Sequence, residues 1–283
     1  MAINLRNRRS RLIGLIIPEI TMFFFPSVIR GIEDVLHRHG YNLLMLQSSE
    51  QLQREIENVH LCTENGVEGL LLSVSRQTLT TDHLNELQTL GVPIVLFDKV
   101  IEKTEFPQII IDDEAAAASA VLHLQARGAT QLIGIFGNPN LSITQKRIAG
   151  FRRALLQQGL AWRDDAVLFA ENTTDAFRLT TESLQAATPP NGIFTMSDEI
   201  LAGVLPALRQ KQIEIPSACK VISMSDGSLP NYLDPLVTYI HHSGYEVGAM
   251  AATRLCESIA NKELILPKLH ILPTTLVQQQ STW

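Results

Sequence analysis

The chain has 283 residues, 45% of them hydrophobic and 18% charged, a balance that excludes a disordered polymer and gives length enough for two compact domains with separate cores. Formal net charge is −6, yet Arg6, Arg8, Arg9 and Arg11 all precede the first acidic residue, Glu19, so setting those four positive charges aside leaves −10. An acidic body of this kind is not itself a nucleic-acid-binding surface, although the basic leader could touch phosphates.

Cys62, Cys219 and Cys256 are odd in number, far apart and without CxxC spacing, so they suggest neither a disulfide framework nor a zinc site. Buried reduced thiols are the simplest reading, and they point to the cytoplasm. The Arg-rich start followed by Leu12 to Ile17 is too short for a signal peptide, is interrupted by Pro18-Glu19 and has no small-residue cleavage site. No apolar stretch reaches the roughly 18 to 20 residues needed to cross a bilayer.

In chain order, the first strand is read over residues 11–19, where Leu12 to Ile17 form a continuous apolar run closed by Pro18, which suits a strand covered on both faces in a parallel sheet. A helix is predicted over residues 23–39 with Gly40 as its stop, and a second strand over 41–46 completes a strand, helix and strand unit. In open sheets ligands sit beyond the carboxyl ends of strands, which points at Glu19 to Phe25. The alternation continues with a helix over 50–65, a strand over 67–73, a helix over 82–90 and a strand over 92–97.

Residues 106–111 read as another strand, and Asp112-Asp113-Glu114 supplies an acidic start for the Ala-rich helix through Arg127. These acids serve either as caps or as ligand contacts. A second α/β unit therefore begins near residue 112: strand 131–136, helix 143–158, strand 166–169, helix 175–187 and strand 192–196. Ser197-Asp198 is placed to cap the next helix, and strand 219–224 follows Pro216. Strand 236–240, helix 245–260 and a single strand over 269–277 remain, and they could return the chain to the first half and then the second.

GxGxxG and GxSxG are both missing, and Gly134 to Asn140 lacks the Lys-Ser/Thr ending of a phosphate loop. His37/His39 and His241/His242 lack the i, i+4 spacing that aligns two imidazoles for a metal. With no nucleophile, metal or acid–base constellation, the reading is a non-enzyme with no cofactor. Phe23-Phe24-Phe25 cannot all point inward from one helix turn, so one or two rings serve either as a stacking wall for a ligand or as core. Arg147 offers either a planar fork of donors to a ligand or a residue of a solvated helix face.

Taken together, residues 12–19, Gly31-Ile-Glu33 with Gly40-Tyr41, residues 67–72, residues 91–98, Arg147-Ile-Ala-Gly-Phe151, Asp234-Pro-Leu236, residues 272–277 and Ser281-Thr282 resemble the effector-binding core of the lac-repressor-type (LacI/GalR) bacterial transcription regulators. The resemblance covers nearly the whole chain. It implies an α/β fold of two doubly wound parallel-sheet subdomains joined by three crossovers near residues 111, 240 and 265, as in type I periplasmic-binding-protein-like folds. The expected division is a hinge remnant at 1–11, an N-terminal subdomain at 12–111 plus 241–265, and a C-terminal subdomain at 112–240 plus 266–283. Effector would bind in the cleft between subdomains of a cytoplasmic homodimer. Operator DNA would be read by a helix-turn-helix that this stretch starts too late to include.

Carried over by position, the family's ligand contacts fall on Phe24, Phe25, Asp112, Arg147, Ser197, Ser225 and His241. Two departures stand out. The effector-binding Asp of the family is Ser225 here, with Asp226 the next acid, and Leu236-Val-Thr238 is followed by Ile240-His-His-Ser-Gly244, one residue longer than usual. The expected function is an effector-sensing regulator core for a small polar molecule, a sugar or its derivative; the alternative is a solute-binding protein feeding a transporter. Arg147→Ala is expected to remove effector binding with little loss of stability.

Overall fold

The computed structural model describes residues 10–21, 23–160, 162–261 and 269–283. Arg6, Arg8 and Arg9 of the leader lie outside the described residues, as does the crossover expected near residue 265. In chain order the elements are β1 (Leu12–Ile17), α1 (Phe25–Arg38), β2 (Asn42–Gln47), α2 (Leu52–Glu64), β3 (Gly69–Leu72), α3 (Asn85–Thr89), β4 (Ile94–Phe97), β5 (Gln108–Ile111) and α4 (Asp113–Ala126). They continue with β6 (Leu132–Phe136), α5 (Ser142–Gln157), β7 (Val167–Phe169), α6 (Thr173–Ser183), β8 (Gly192–Thr195), α7 (Asp198–Gln210) and β9 (Lys220–Ser225). The last are β10 (Thr238–His241), α8 (Gly244–Ala260), β11 (Leu269–Leu272) and β12 (Thr275–Val277).

The strands make two six-stranded sheets, ordered β11-β5-β4-β3-β1-β2 and β12-β10-β9-β8-β6-β7. Within each, the first strand pairs in parallel with the second on one side and the third on the other, so the chain winds outward in both directions. The chain divides into a first unit, Met1–Ile110 with Gly244–Leu272, and a second unit, Ile111–Ser243 with Pro273–Trp283.

Two sequence expectations are corrected here. Residues 269–277 are not one strand: Leu269–Leu272 joins the first sheet, whereas Thr275–Val277 pairs antiparallel with β10 in the second. Pro273 lies between them, and because it has no N–H to donate to a ladder the chain changes sheet there. Residues 241–243 also belong to the second unit rather than the first, since β10 runs through His241 in the second sheet.

The burial of β1 explains its apolar run: Ile13, Leu15, Ile16 and Ile17 are fully enclosed between two helical layers. Helix α1 buries Val28, Gly31, Ile32, Val35 and Leu36, the spacing of one helical face. Close helix pairing depends on glycine in both units. A Cβ at Gly31 would collide with the Tyr245 carbonyl of α8, and one at Gly150 of α5 would collide with the Glu114 carbonyl of α4. The second unit adds an aromatic cluster in which Phe136, Phe151 and Phe194 lie 5.6–6.0 Å apart by ring centroids. Its carboxyl terminus is stitched on: Thr282 Oγ1 is 2.8 Å from His123 Nε2 and 2.7 Å from Thr238 Oγ1, and the Ser281 hydroxyl donates to the Val221 carbonyl at 2.6 Å.

Candidate functional site

The carboxyl ends of the second sheet gather the polar chemistry. The end of β5 turns into α4 at Asp112, whose side chain accepts from the Ala115 N–H at 2.9 Å. The next residue, Asp113, points inward and is 2% exposed. Arg147, one turn into α5, meets it: Nε donates to Asp113 Oδ1 at 2.8 Å and Nη1 donates to the Met196 carbonyl, just beyond β8, at 2.6 Å. Arg147 is itself 4% exposed, so the solvated-face reading is wrong. A buried guanidinium needs such partners, because an unpaired charge at this depth would be strongly destabilising.

Ser197 follows Met196 and caps α7, its hydroxyl oxygen accepting from the Ile200 N–H at 3.3 Å. Its neighbour Asp198 is buried at the first helical position. Ser225, the last residue of β9, donates its hydroxyl to Asp198 Oδ2 at 2.7 Å and accepts from the Gly227 N–H at 2.9 Å. Asp226 Oδ1 accepts from the Ser228 N–H at 2.9 Å, which closes the turn. Among the described residues Asp198 Oδ1 and Asp226 Oδ2 are buried without a hydrogen-bond partner. His241 ends β10 half-buried, and the buried His242 donates its backbone N–H to the Ser225 carbonyl at 3.0 Å.

Burial pushes the Asp198 carboxyl up to about 7; hydrogen bonds from the Ser225 hydroxyl and the Leu229 backbone pull it back, and the nearby charge of Asp226 raises it. Burial also raises Asp113 above the ordinary carboxylate range, while Arg147 opposes that rise. His242 is driven down to about 3, first by burial and then by the Arg147 charge, which keeps its imidazole neutral. Perturbed groups packed together at strand ends single out this rim as the candidate site.

In the first unit the three phenylalanines divide by exposure. Phe23 is exposed, Phe24 half-buried, and Phe25 buried in the core face of α1, where its ring meets Phe24 edge to face at 5.8 Å. Phe25 is therefore core, and Phe24 is the ring left partly open. This unit's own strand ends carry residues that the sequence did not single out. Asp98, after β4, has φ 57° and accepts from the Ser73 hydroxyl at 3.4 Å. Lys99 pairs with the buried Glu50, which also accepts from the Arg76 N–H at 2.8 Å. Fully buried Glu55 accepts from the Ser75 N–H at 2.6 Å and the Thr78 hydroxyl at 2.9 Å, fixing the loop after β3.

Of the sequence candidates, Arg147, Ser197 and Ser225 fall in one hydrogen-bonded neighbourhood with Asp113, Asp198 and Asp226. Asp112 is exposed and occupied as a cap. The partners Asp113 and Asp198 were visible only as cap acids. Among the described residues no three His, Cys, Asp or Glu side chains are grouped to hold a metal ion. All three cysteines are buried and unbridged, and burial raises their thiols to about 11 to 12, away from reactivity.

A family model described as periplasmic binding proteins and sugar binding domain of LacI family matches residues 10–278. Catabolite control protein A of Priestia megaterium is 27% identical over 284 residues, an alignment covering 100% of this chain and 85% of that protein. The HTH-type transcriptional repressor PurR of Vibrio campbellii is 28% identical over 266 residues, covering 93% and 79%. The crystal structure of transcription regulator CcpA of Lactococcus lactis superposes with a TM-score of 0.88 at 22% identity, covering 96% of this chain and 99% of that one.

Two outcomes follow from the buried charges. Arg147→Ala strands Asp113 and the Met196 carbonyl, so it should destabilise the second unit by about 3–5 kcal/mol, measured by urea unfolding; the expectation of little stability loss is withdrawn on this geometry. For Asp198, the folded value is raised, so its stabilising contribution is full below the unfolded value near 4 and is lost as pH rises through about 7. Asp198→Asn keeps an acceptor for Ser225 and removes that loss. Its gain in melting temperature over the parent should be larger at pH 8 than at pH 5, and an equal gain at both would count against a buried titrating carboxyl.

Proposed function

Because the chain belongs to the family of periplasmic binding proteins and LacI-type sugar-binding domains, which its residues 10–278 match, we propose that it is the effector-sensing core of a bacterial transcriptional regulator. The observation that carries this reading is the kind of relative: proteins aligned along 93–100% of the chain are repressors by name, which disfavours a transport-linked binding protein. The family description, with a rim rich in hydrogen-bonding groups, supports a sugar or sugar derivative as effector.

In this reading Arg147, held by Asp113 and Met196, presents its remaining guanidinium edge to the ligand, and Ser197, Ser225 and His241 line the same rim. Asp112 serves through its cap at the start of α4. In the first unit Phe24 offers a stacking face, with Phe25 packed behind it. Binding alters DNA affinity only by the effector's differential affinity for two states of the protein. Operator DNA is read through a helix-turn-helix outside the residues described here. The role is a cytoplasmic one without catalysis, and among the described residues no helix is long and apolar enough to cross a membrane.

A ligand that binds only the folded chain raises its melting temperature by mass action. A thermal-shift screen of hexoses, pentoses, sugar phosphates, nucleosides and amino acids should give a saturable rise for one sugar class; a response confined to amino acids would contradict the proposal. The working unit is proposed to be a homodimer. Light scattering at micromolar concentration should return twice 31.4 kDa, and a mass of 31.4 kDa would refute it.

A further inference from the structure

We infer that Glu55 is a positioning residue for the effector: fully buried in α2, it fixes by two hydrogen bonds the loop after β3, which forms one wall of the first unit's ligand crevice. This rests on the sensing role proposed above and adds the residue that sets the shape of one contact surface.

The place of that wall follows from the order of the strands. In the first sheet β1 lies between β2 and β3; the chain leaves β1 toward β2, then returns past it to β3 and β4. The winding therefore reverses between β1 and β3. In open parallel sheets ligands occupy the crevice outside the carboxyl ends of the strands at such a reversal. The two segments that flank it here are the one after β1, which carries Phe24, and residues 73–78 after β3.

The loop after β3 is held by buried carboxylates. Glu55 is 0% exposed; Oε2 accepts from the Ser75 N–H at 2.6 Å and Oε1 from the Thr78 hydroxyl at 2.9 Å, with His83 Nε2 2.9 Å from the same oxygen. Glu50, paired with Lys99, accepts from the Arg76 N–H at 2.8 Å, and the Val74 N–H donates to the Lys99 carbonyl at 3.0 Å. Three successive backbone donors are thereby fixed. An ordinary surface loop takes such hydrogen bonds from water and buries no charge. Placing two carboxylates under one loop costs free energy, and what it secures is a single loop conformation. The neighbouring strand ends are strained as well. Ser49, Glu50 and Asp98 have φ of 49°, 57° and 57°, values that residues with a side chain keep only where the surroundings over-determine them, as at ligand clamps.

The test is calorimetric titration of the chain and its variants with the sugars, sugar phosphates and nucleosides of the panel above, glucose, galactose, ribose and adenosine among them. Glu55→Ala removes both acceptors and strands the Ser75 N–H. Glu55→Gln restores the contacts, its amide oxygen accepting from Ser75 while its NH2 donates to the Thr78 hydroxyl oxygen. Val35→Ala opens a cavity in the core face of α1 and lowers the melting temperature without touching the loop. For a compound that binds the parent, Glu55→Ala should raise Kd by about tenfold or more, whereas Glu55→Gln and Val35→Ala should stay within about twofold. Should Glu55→Ala not fold, Thr78→Val, which leaves the Ser75 bond in place, should raise Kd by about fivefold. A Kd equal to the parent's in the folded loop variant would overturn the positioning role and leave the sensing role intact. Equal weakening in Val35→Ala would overturn it too, since the effect would then be one of stability alone, and so would a Glu55→Gln that binds no better than Glu55→Ala. No binding of any panel member by the parent would overturn the sensing role itself and the positioning role with it.

Discussion

The contact between Arg147 and Asp113 is the constraint on which the rim of the second sheet depends. It ties the start of α5 to the start of α4, and its bond to the Met196 carbonyl adds the end of β8. Three strand-to-helix turns are thereby held at one depth. A cation this buried is stable only while all of its partners are in place, so the residues that follow them, Ser197 and Asp198, inherit a fixed position. Glycine 150 makes the arrangement possible from below, since any side chain there would push α5 off α4 and pull the guanidinium from its carboxylate.

At the same rim the charge lies beside residue 225 rather than on it. A serine at position 225 brings no charge of its own, yet its hydroxyl engages Asp198 and its neighbour Asp226 supplies a second acid. His242 sits against this group with its proton driven off. The two perturbed groups respond to pH in opposite directions. His242, with its folded value depressed, loses stabilisation as pH falls below about 6.5, and Asp198 loses it as pH rises toward 7. No single pH therefore gives both contributions in full: below about 4 that of Asp198 is complete and most of that of His242 is gone, and above about 7 the reverse holds.

Much of the fold was legible because it rests on local patterns. The enclosed run of β1, the glycine stops after helices and the Ser197-Asp198 cap are all properties of adjacent residues. The single strand expected over 269–277 failed because hydrophobic content says nothing about which sheet a segment joins, and Pro273 was the available signal for a break. The site was legible only in outline. Arg147 and Ser225 could be named, but their partners lie 34 and 27 residues away, and no spacing rule joins a helix arginine to a cap acid across that distance. Glu50 and Glu55 fell inside the helix predicted over 50–65 and were not singled out; burial beside the loop after β3 gives them a role, holding that loop by its backbone.

The central claim is that effector meets the carboxyl rim of the second sheet. Hydrogen exchange of the chain, with and without a sugar that stabilises it, tests this most directly, because amides that gain protection mark where the ligand orders the backbone. Protection concentrated at Met196–Asp198 and Ser225–Ser228 is the predicted result. Protection absent from both segments while the ligand still raises the melting temperature would contradict the claim and place the effector elsewhere on the chain.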